Sequence, residues 1–250
     1  MTSADNRPPS AVTPDYGVDA PDWIRGFFAA AGAGVAAGTL ARLFLPNGVV
    51  KTVASVASFG VGGVAFAFGT AMSAYVWRGK FRMRDFMLDK IAWRGDETVL
   101  DVGTGRGLLA IGAAKRLTTG TAIGIDIWNT ADLSDNRRDA AEANVVWEGV
   151  AGKVELCEAD ARSLPLADST FDVVLSLLCL HNIEPEADRA VACREIARVL
   201  KPGGTALIAD YVPTDGYAKA LADAGLTVRE TRTHFGVAYA LMWMTEATKG

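Results

Sequence analysis

Cysteine is scarce in this chain: three among 250 residues, at Cys157, Cys179 and Cys193. They are scattered, with no Cys-x-x-Cys spacing. That excludes a disulfide scaffold and leaves no zinc signature, so no metal is expected and a reducing compartment is the default. A basic surplus is missing too. Lys plus Arg is 25 against 29 Asp plus Glu, for a net charge of −4. A nucleic-acid partner would need the opposite imbalance and is not expected. The third lack is local: from Gly26 to Trp77 the only charges are Arg42 and Lys51. With hydrophobic residues at 50% and mean hydropathy at +0.18, the apolar content is concentrated in that block.

Before the block, residues 1–23 are polar and carry Pro8, Pro9, Pro14 and Pro21; they read as a disordered leader. The block itself divides at Pro46-Asn47-Gly48, a strong turn signal. Ile24–Leu45 is rich in Ala and Gly, and Val53–Trp77 has no charge at all. As helix the second run is about 37 Å long, more than a bilayer's hydrocarbon core. A signal peptide does not fit, because the run begins after an acidic leader. The expectation for 24–77 is a transmembrane hairpin with spans 24–45 and 53–77, the first of which spans or lies in the interface. Gly34-x-x-x-Gly38 and Ala65-x-x-x-Gly69 are small-residue pairs that allow close backbone approach. Arg78, Lys80, Arg82, Arg84, Lys90 and Arg94 follow the second span. Positive residues favour the cytoplasmic side, so the expected location is a multi-pass protein of the cell membrane with its folded domain cytoplasmic. Residues 78–94 read as an amphipathic basic connector helix, its charges near membrane lipid headgroups.

From 95 to 250 strand and helix patterns alternate. Glu97–Val102, Thr121–Ile127, Val154–Glu158, Phe171–Leu178 and Thr205–Asp210 read as strands. Leu108–Leu117, Arg137–Gly149 and Glu186–Leu200 read as the helices between them. Such alternation means a parallel sheet covered on both faces. After a helix at Tyr217–Ala224, the runs Thr227–Phe235 and Ala238–Thr245 are so close together that they must pair antiparallel. The expected fold class is α/β: a Rossmann-like, mostly parallel sheet with an antiparallel C-terminal hairpin, preceded by two predicted transmembrane helices.

Between the first strand and its helix lies Asp101-Val-Gly103-Thr104-Gly105-Arg-Gly107. Glycines there permit tight turning and close backbone approach to a ligand at the helix N-terminus. The pattern alone also suits dinucleotides. Asp101 separates the two, since its carboxylate repels a pyrophosphate and suits a cationic amino-acid ligand. The helix opening offers N–H groups to a carboxylate. A ligand with ammonium, carboxylate and ribose meets these demands, and S-adenosyl-L-methionine is one. Asp126 closes the second strand where a carboxylate can accept both ribose hydroxyls. Asp160, after the third strand, suits the adenine amino group.

Four ordered blocks carry a wider likeness: V-L-D-V-G-T-G-R-G, I-G-I-D-I, E-A-D-A-R-S-L-P with F-D-V-V-L-S-L-L-C-L-H-N-I, and E-I-A-R-V-L-K-P-G-G. Over about Asp96–Thr245 the chain resembles the class I S-adenosylmethionine-dependent methyltransferases of small-molecule type. The resemblance implies a seven-stranded sheet with the last strand antiparallel. It also implies cofactor binding by position. Asp101, Gly103, Thr104, Gly105 and Gly107 would hold the methionine moiety, Asp126 and Ile127 the ribose, and Asp160 and Ala161 the adenine. Leu177 or Leu178 would line the pocket near the sulfonium, and Trp128 either stacks on adenine or simply packs. The last block and L-H-N-I are similar to those of quinone-biosynthesis C-methyltransferases, but they recur across small-molecule members.

Methyl transfer from a sulfonium needs an aligned acceptor in a dry site, and no protein nucleophile. His181 and Asn182 follow the fourth strand and are the candidate catalytic pair, with a base there taking the acceptor's proton. Tyr211 is a candidate substrate contact. The cysteines invite comparison with thiol-using arsenic methyltransferases, although Cys157 and Cys193 fall where small apolar residues fall. The expected activity is methylation of a small, lipophilic acceptor (a quinone, lipid or thiol) beside the bilayer. The alternatives are a cofactor-binding membrane protein without catalysis, and a soluble enzyme whose N-terminal helices cap its site. The domain from Asp96 onward has a full strand and helix count. A chain starting near Arg78 is therefore expected to fold and to bind cofactor.

Overall fold

In a computed structural model of the chain, residues 13–250 are described. The strands are β1 (Thr98–Val102), β2 (Thr121–Asp126), β3 (Val154–Glu158), β4 (Phe171–Leu177), β5 (Leu200–Asp210), β6 (Leu226–Phe235) and β7 (Leu241–Lys249). They form one sheet in the order β3-β2-β1-β4-β5-β7-β6, parallel from β3 to β5, with β7 antiparallel to both its neighbours. This is the expected Rossmann-like, mostly parallel sheet, antiparallel tail included. Strand side chains alternate faces. Val99, Val173, Leu175 and Leu207 pack on one face with α4 (Leu108–Ala114) and α5 (Arg138–Trp147). Leu100, Val174, Ala206 and Ile208 pack on the other with α6 (Ala187–Val199) and α7 (Asp215–Asp223). The order reverses at β1, which pairs with β2 on one side and β4 on the other. In open α/β sheets such a point is where ligands bind, beyond the strands' carboxyl ends.

Helices α1 (Pro21–Phe44) and α2 (Val49–Ala74) form the N-terminal hairpin. Both are long and apolar enough to cross a membrane by length and composition, and 17% of each apolar window is buried. Small residues sit at their crossing. A Cβ on Gly34 would come within 2.6 Å of the Gly62 Cα, Gly38 abuts the Phe59 ring, and Gly69 the Phe28 ring. Ala65 is buried. The outer surface carries Val35, Leu40, Phe44, Val53, Val61 and Phe66, all exposed.

Two expectations for the N-terminal third need correction. Residues 1–12 of the leader lie outside the described residues, but 13–20 are seated on the α/β unit instead of running free. The Tyr16 hydroxyl donates to Glu148 at 2.8 Å, the Val18 amide donates to Ser134 Oγ at 2.7 Å, and Asp19 bridges to Leu133. Helix α1 then starts at Pro21, inside the assigned leader. Within the segment 78–94, the α-helix is confined to Lys80–Leu88, and its apolar side packs on the α/β unit. Helix α2 passes through a wide turn at Tyr75–Gly79 directly into α3 (Lys80–Leu88). Met83, Met87 and Leu88 of α3 are fully buried in the core beside α4. Lys80 is 3% exposed, and its ammonium donates to the carbonyls of Tyr16 and Gly17 and to Asp19 Oδ2. Buried lysines are rare without such partners. The folded unit thus begins near Tyr16 and not at residue 95.

Candidate functional site

Beyond the carboxyl ends of β1, β2 and β4 lies a cavity of about 310 Å³. Its floor is the glycine loop. The amides of Gly103 and Thr104 both donate to the Ile125 carbonyl at 2.9 Å, fastening the loop to β2. Gly103 and Gly105 have φ of +76° and +53°, the left-handed region that side chains rarely adopt. A Cβ on Gly103 would overlap Cys179, while the Gly105 backbone faces the cavity. Of the proposed cofactor residues, Asp101, Gly103, Thr104, Gly105, Asp126, Ile127, Asp160, Ala161 and Leu177 line the cavity. Gly107 instead opens α4. Trp128 is not among the lining residues. Its indole N–H donates to the Gly105 carbonyl at 3.1 Å, so it braces the loop from behind.

Asp101 is 1% exposed. Its Oδ2 accepts from Thr104 Oγ1 at 2.7 Å and from the Ala110 amide at 2.9 Å. Its Oδ1 is buried and without a hydrogen-bond partner. Burial pushes the carboxyl up to about 7, against the pull of those two bonds. An orphaned carboxylate oxygen on the cavity wall suits the ammonium of the cofactor expected from the sequence, and a loop without side chains suits its close approach. The residues fit S-adenosylmethionine. In the absence of ligand the raised value means that folding favours the protonated acid, so stability falls as pH rises from about 4 towards 7. A cationic ligand needs the ionised form. Its affinity should therefore rise up to tenfold per pH unit below about 7, level off, and fall again once an α-amino group deprotonates near pH 8. Titration calorimetry from pH 5 to 9 checks this. Asp101→Asn should remove the rising limb.

Asp126 faces both the cavity and the loop. Its Oδ2 accepts from the Gly105 amide at 2.7 Å and its Oδ1 from the Trp128 amide at 2.6 Å. Burial raises its pKa while these bonds oppose the rise. The carboxylate keeps further lone pairs for ribose hydroxyls. Asp126→Ala should thus cost loop order as well as ligand contacts. Charge-assisted bonds contribute roughly 1.5–3 kcal/mol each, so we expect cofactor binding about 100-fold weaker, measured by calorimetry on folded protein. Asp160 reaches the cavity as well. Its carboxylate is held by Arg162, whose Nη2 donates at 2.7 Å and whose backbone amide donates at 2.8 Å, and its pKa is lowered accordingly.

The candidate catalytic pair separates. Asn182 lines the cavity and His181 does not. His181 Nδ1 lies 2.8 Å from the buried Asp210 Oδ1, and its ring meets Tyr211 edge-on at 4.5 Å between centroids. Tyr211 is 54% exposed and also outside the cavity lining. Asp210 in addition accepts from the Tyr217 hydroxyl. Cys179 does line the cavity. Burial, reinforced by Asp126, Asp210 and Asp101, pushes its thiol far up, so it stays protonated. The far wall consists of residues that sequence reasoning missed: Tyr16, Asp19, Tyr75 and Lys80, together with Asp132 and Leu133. Lys80 was visible only as one charge in a basic run.

Residues 100–208 match the model of a methyltransferase domain. A methyltransferase of Streptomyces halstedii is 32% identical over 155 residues, which are 61% of this chain and 52% of that one. The ubiquinone/menaquinone biosynthesis C-methyltransferase of Pseudomonas putida is 32% identical over 127 residues, covering 50% of this chain and 46% of its own length. The chain thus spans about half the length of these curated relatives. Among solved structures, an S-adenosylmethionine-dependent methyltransferase from Aquifex aeolicus superposes with a TM-score of 0.57 at 20% identity, over 69% of this chain and 94% of that one. Residues 100–208 thus match a methyltransferase domain, in the fold of an S-adenosylmethionine-dependent enzyme, and the cavity with its orphaned Asp101 oxygen fits that cofactor.

Proposed function

We propose that this chain is a membrane-anchored methyltransferase acting on a small, lipophilic acceptor, with its folded domain on the cytoplasmic side. One observation carries the reading. Helix α2, with its exposed apolar flank, runs without a break into the cavity wall through Tyr75 and Lys80. A lipid-facing helix that ends on the site puts the cavity beside the phase in which lipophilic acceptors dissolve. The bound cofactor supplies an electrophilic methyl group. The chain's own residues do the rest: Asp101 holds the ammonium of the amino-acid end above the glycine loop, Asp126 frames that loop, and Leu177 and Leu178 keep water from the reacting end. Asp132, its carboxyl raised by burial and then by Asp126, lines the cavity where an acceptor's proton can be taken. A soluble chain with a helical cap sits poorly with so much exposed valine and phenylalanine on α1 and α2.

The full chain should sediment with membranes and resist carbonate extraction. Incubated with membrane lipid extract and deuterated-methyl cofactor, it should add a labelled methyl group to a lipid-soluble compound seen by mass spectrometry. A full chain that stays monomeric without detergent would refute the anchor. Tight cofactor binding with no labelled product would favour a non-catalytic cofactor-binding protein.

A further inference from the structure

The cavity extends beyond the cofactor residues into a chamber bounded by Tyr16, Asp19, Tyr75, Lys80 and Asp132. One side of this chamber is residues 15–20, which lie across it as a strap. The Ala20 amide donates to the Asp132 carbonyl and the Ser134 amide to the Val18 carbonyl, tying the strap to the loop after β2. Lys80 ties it to the base of α2. Among the described residues, every cation on the cavity wall is already paired with a carboxylate. Lys80 is 3.2 Å from Asp19, Arg106 is 3.2 Å from Asp15, and Arg162 is shared by Asp160 and Asp188. Asp132 keeps its carboxylate on the same wall. A phosphate or carboxylate entering here would find no free cation among the described residues and would face acidic oxygens.

We propose that this strapped chamber is the acceptor subsite and that it selects an uncharged acceptor against an anionic one, with the Lys80–Asp19 pair setting that choice. The inference rests on the methyltransferase reading and names its substrate class. An uncharged hydroxyl compound with an apolar tail pairs its hydroxyl with Asp132 or Asn182 and lays its tail along Tyr16 and Tyr75, towards α2. Asp19 cancels the ammonium of Lys80. Without that carboxylate the ammonium would still be held by two carbonyls, and the chamber would lose one of its two negative charges, which removes much of the penalty on an anion.

The test uses the full chain in neutral detergent micelles, loaded with S-adenosylhomocysteine. Two probes share one prenyl tail: a prenylated hydroquinone and the prenyl diphosphate. Equilibrium binding is read from tryptophan fluorescence, and methyl transfer is measured in parallel with S-adenosylmethionine. The wild-type chain should bind the hydroquinone at least tenfold more tightly than the diphosphate. Asp19→Asn keeps the side chain's shape and should narrow that ratio by about tenfold, with cofactor affinity unchanged. Lys80→Met frees the strap and should weaken hydroquinone binding about tenfold. Should Lys80→Met fail to fold, Asp19→Asn alone decides, since a purely structural contact would not move the ratio between probes. Equal binding of the two probes by the wild-type chain, or an unmoved ratio in a folded Asp19→Asn chain, overturns the proposal. Selective binding with no transfer to either probe supports the subsite and counts against the methyl-transfer reading.

Discussion

Gly105→Val should abolish cofactor binding while leaving the fold intact, a loss of more than 100-fold in affinity by calorimetry with an unchanged circular dichroism spectrum. Two effects add. At φ +53° an L-residue costs on the order of 1–2 kcal/mol, and a β-branched one more, because its Cβ crowds the following carbonyl. The new methyl groups also have nowhere to go but the cavity or Leu133, whose Cδ2 would be 3.2 Å from the added Cβ. The first effect is felt by any side chain, while the second is slight for a lone Cβ and grows with branching. Gly105→Ala should therefore lose only about tenfold, as Leu133 shifts by a few tenths of an ångström. Gly103→Ala makes the contrast. Its Cβ would overlap the Cys179 side chain behind the loop, so that variant should unfold at lower temperature instead of binding less ligand. A folded Gly105→Val chain that still binds the cofactor would remove the loop from the site.

The parts of the molecule that were legible in sequence share a physical cause. β1, β2 and β4 are buried on both faces, so they appear as short apolar runs such as Val99–Leu100 and Val173–Val174. They end at residues that leave the sheet and meet the ligand, among them Asp126. That is why Asp101, Asp126, Asp160 and the glycines fall on one cavity. What stayed hidden depends on partners far away in the chain. The strap has too few apolar residues to announce itself, and it is held by the Asn144 side chain, Ser134 Oγ and the Lys80 ammonium, each 60 or more positions distant. In α3 the basic residues drew attention outward. Met83 and Met87, one turn apart, are what the helix buries, and Lys80 is turned inward because three oxygens wait for it. His181 shows the converse. Its position after β4 suggested chemistry, yet its Nδ1 lies 2.8 Å from the buried Asp210 Oδ1 and the residue is outside the cavity lining.

This placement of α3 changes what a shortened chain should do. A chain beginning at Asp96 keeps every strand, yet it should not fold at room temperature. Met83, Met87 and Leu88 fill the core against α4 with no exposed surface, and Gly112 of α4 is packed beneath Arg84 and Leu88. Losing a buried side chain of this size costs about 2–5 kcal/mol. Three such losses match the roughly 5–15 kcal/mol by which a whole domain is stable. A chain beginning at Arg78 retains those three but loses Tyr16, Tyr75 and Val76 from the same cluster, together with the three oxygens that accept from Lys80. It should melt at least 10 °C below the full chain, since about 1 kcal/mol shifts the midpoint of a 150–250-residue protein by roughly 2–4 °C and losing buried side chains of this size costs about 2–5 kcal/mol each. Thermal denaturation by circular dichroism compares the three chains, with the full chain in detergent. If the Arg78 chain instead melts with the full one, the strap and the base of α2 contribute nothing to the fold, and their contacts at the cavity must then be explained by ligand binding alone.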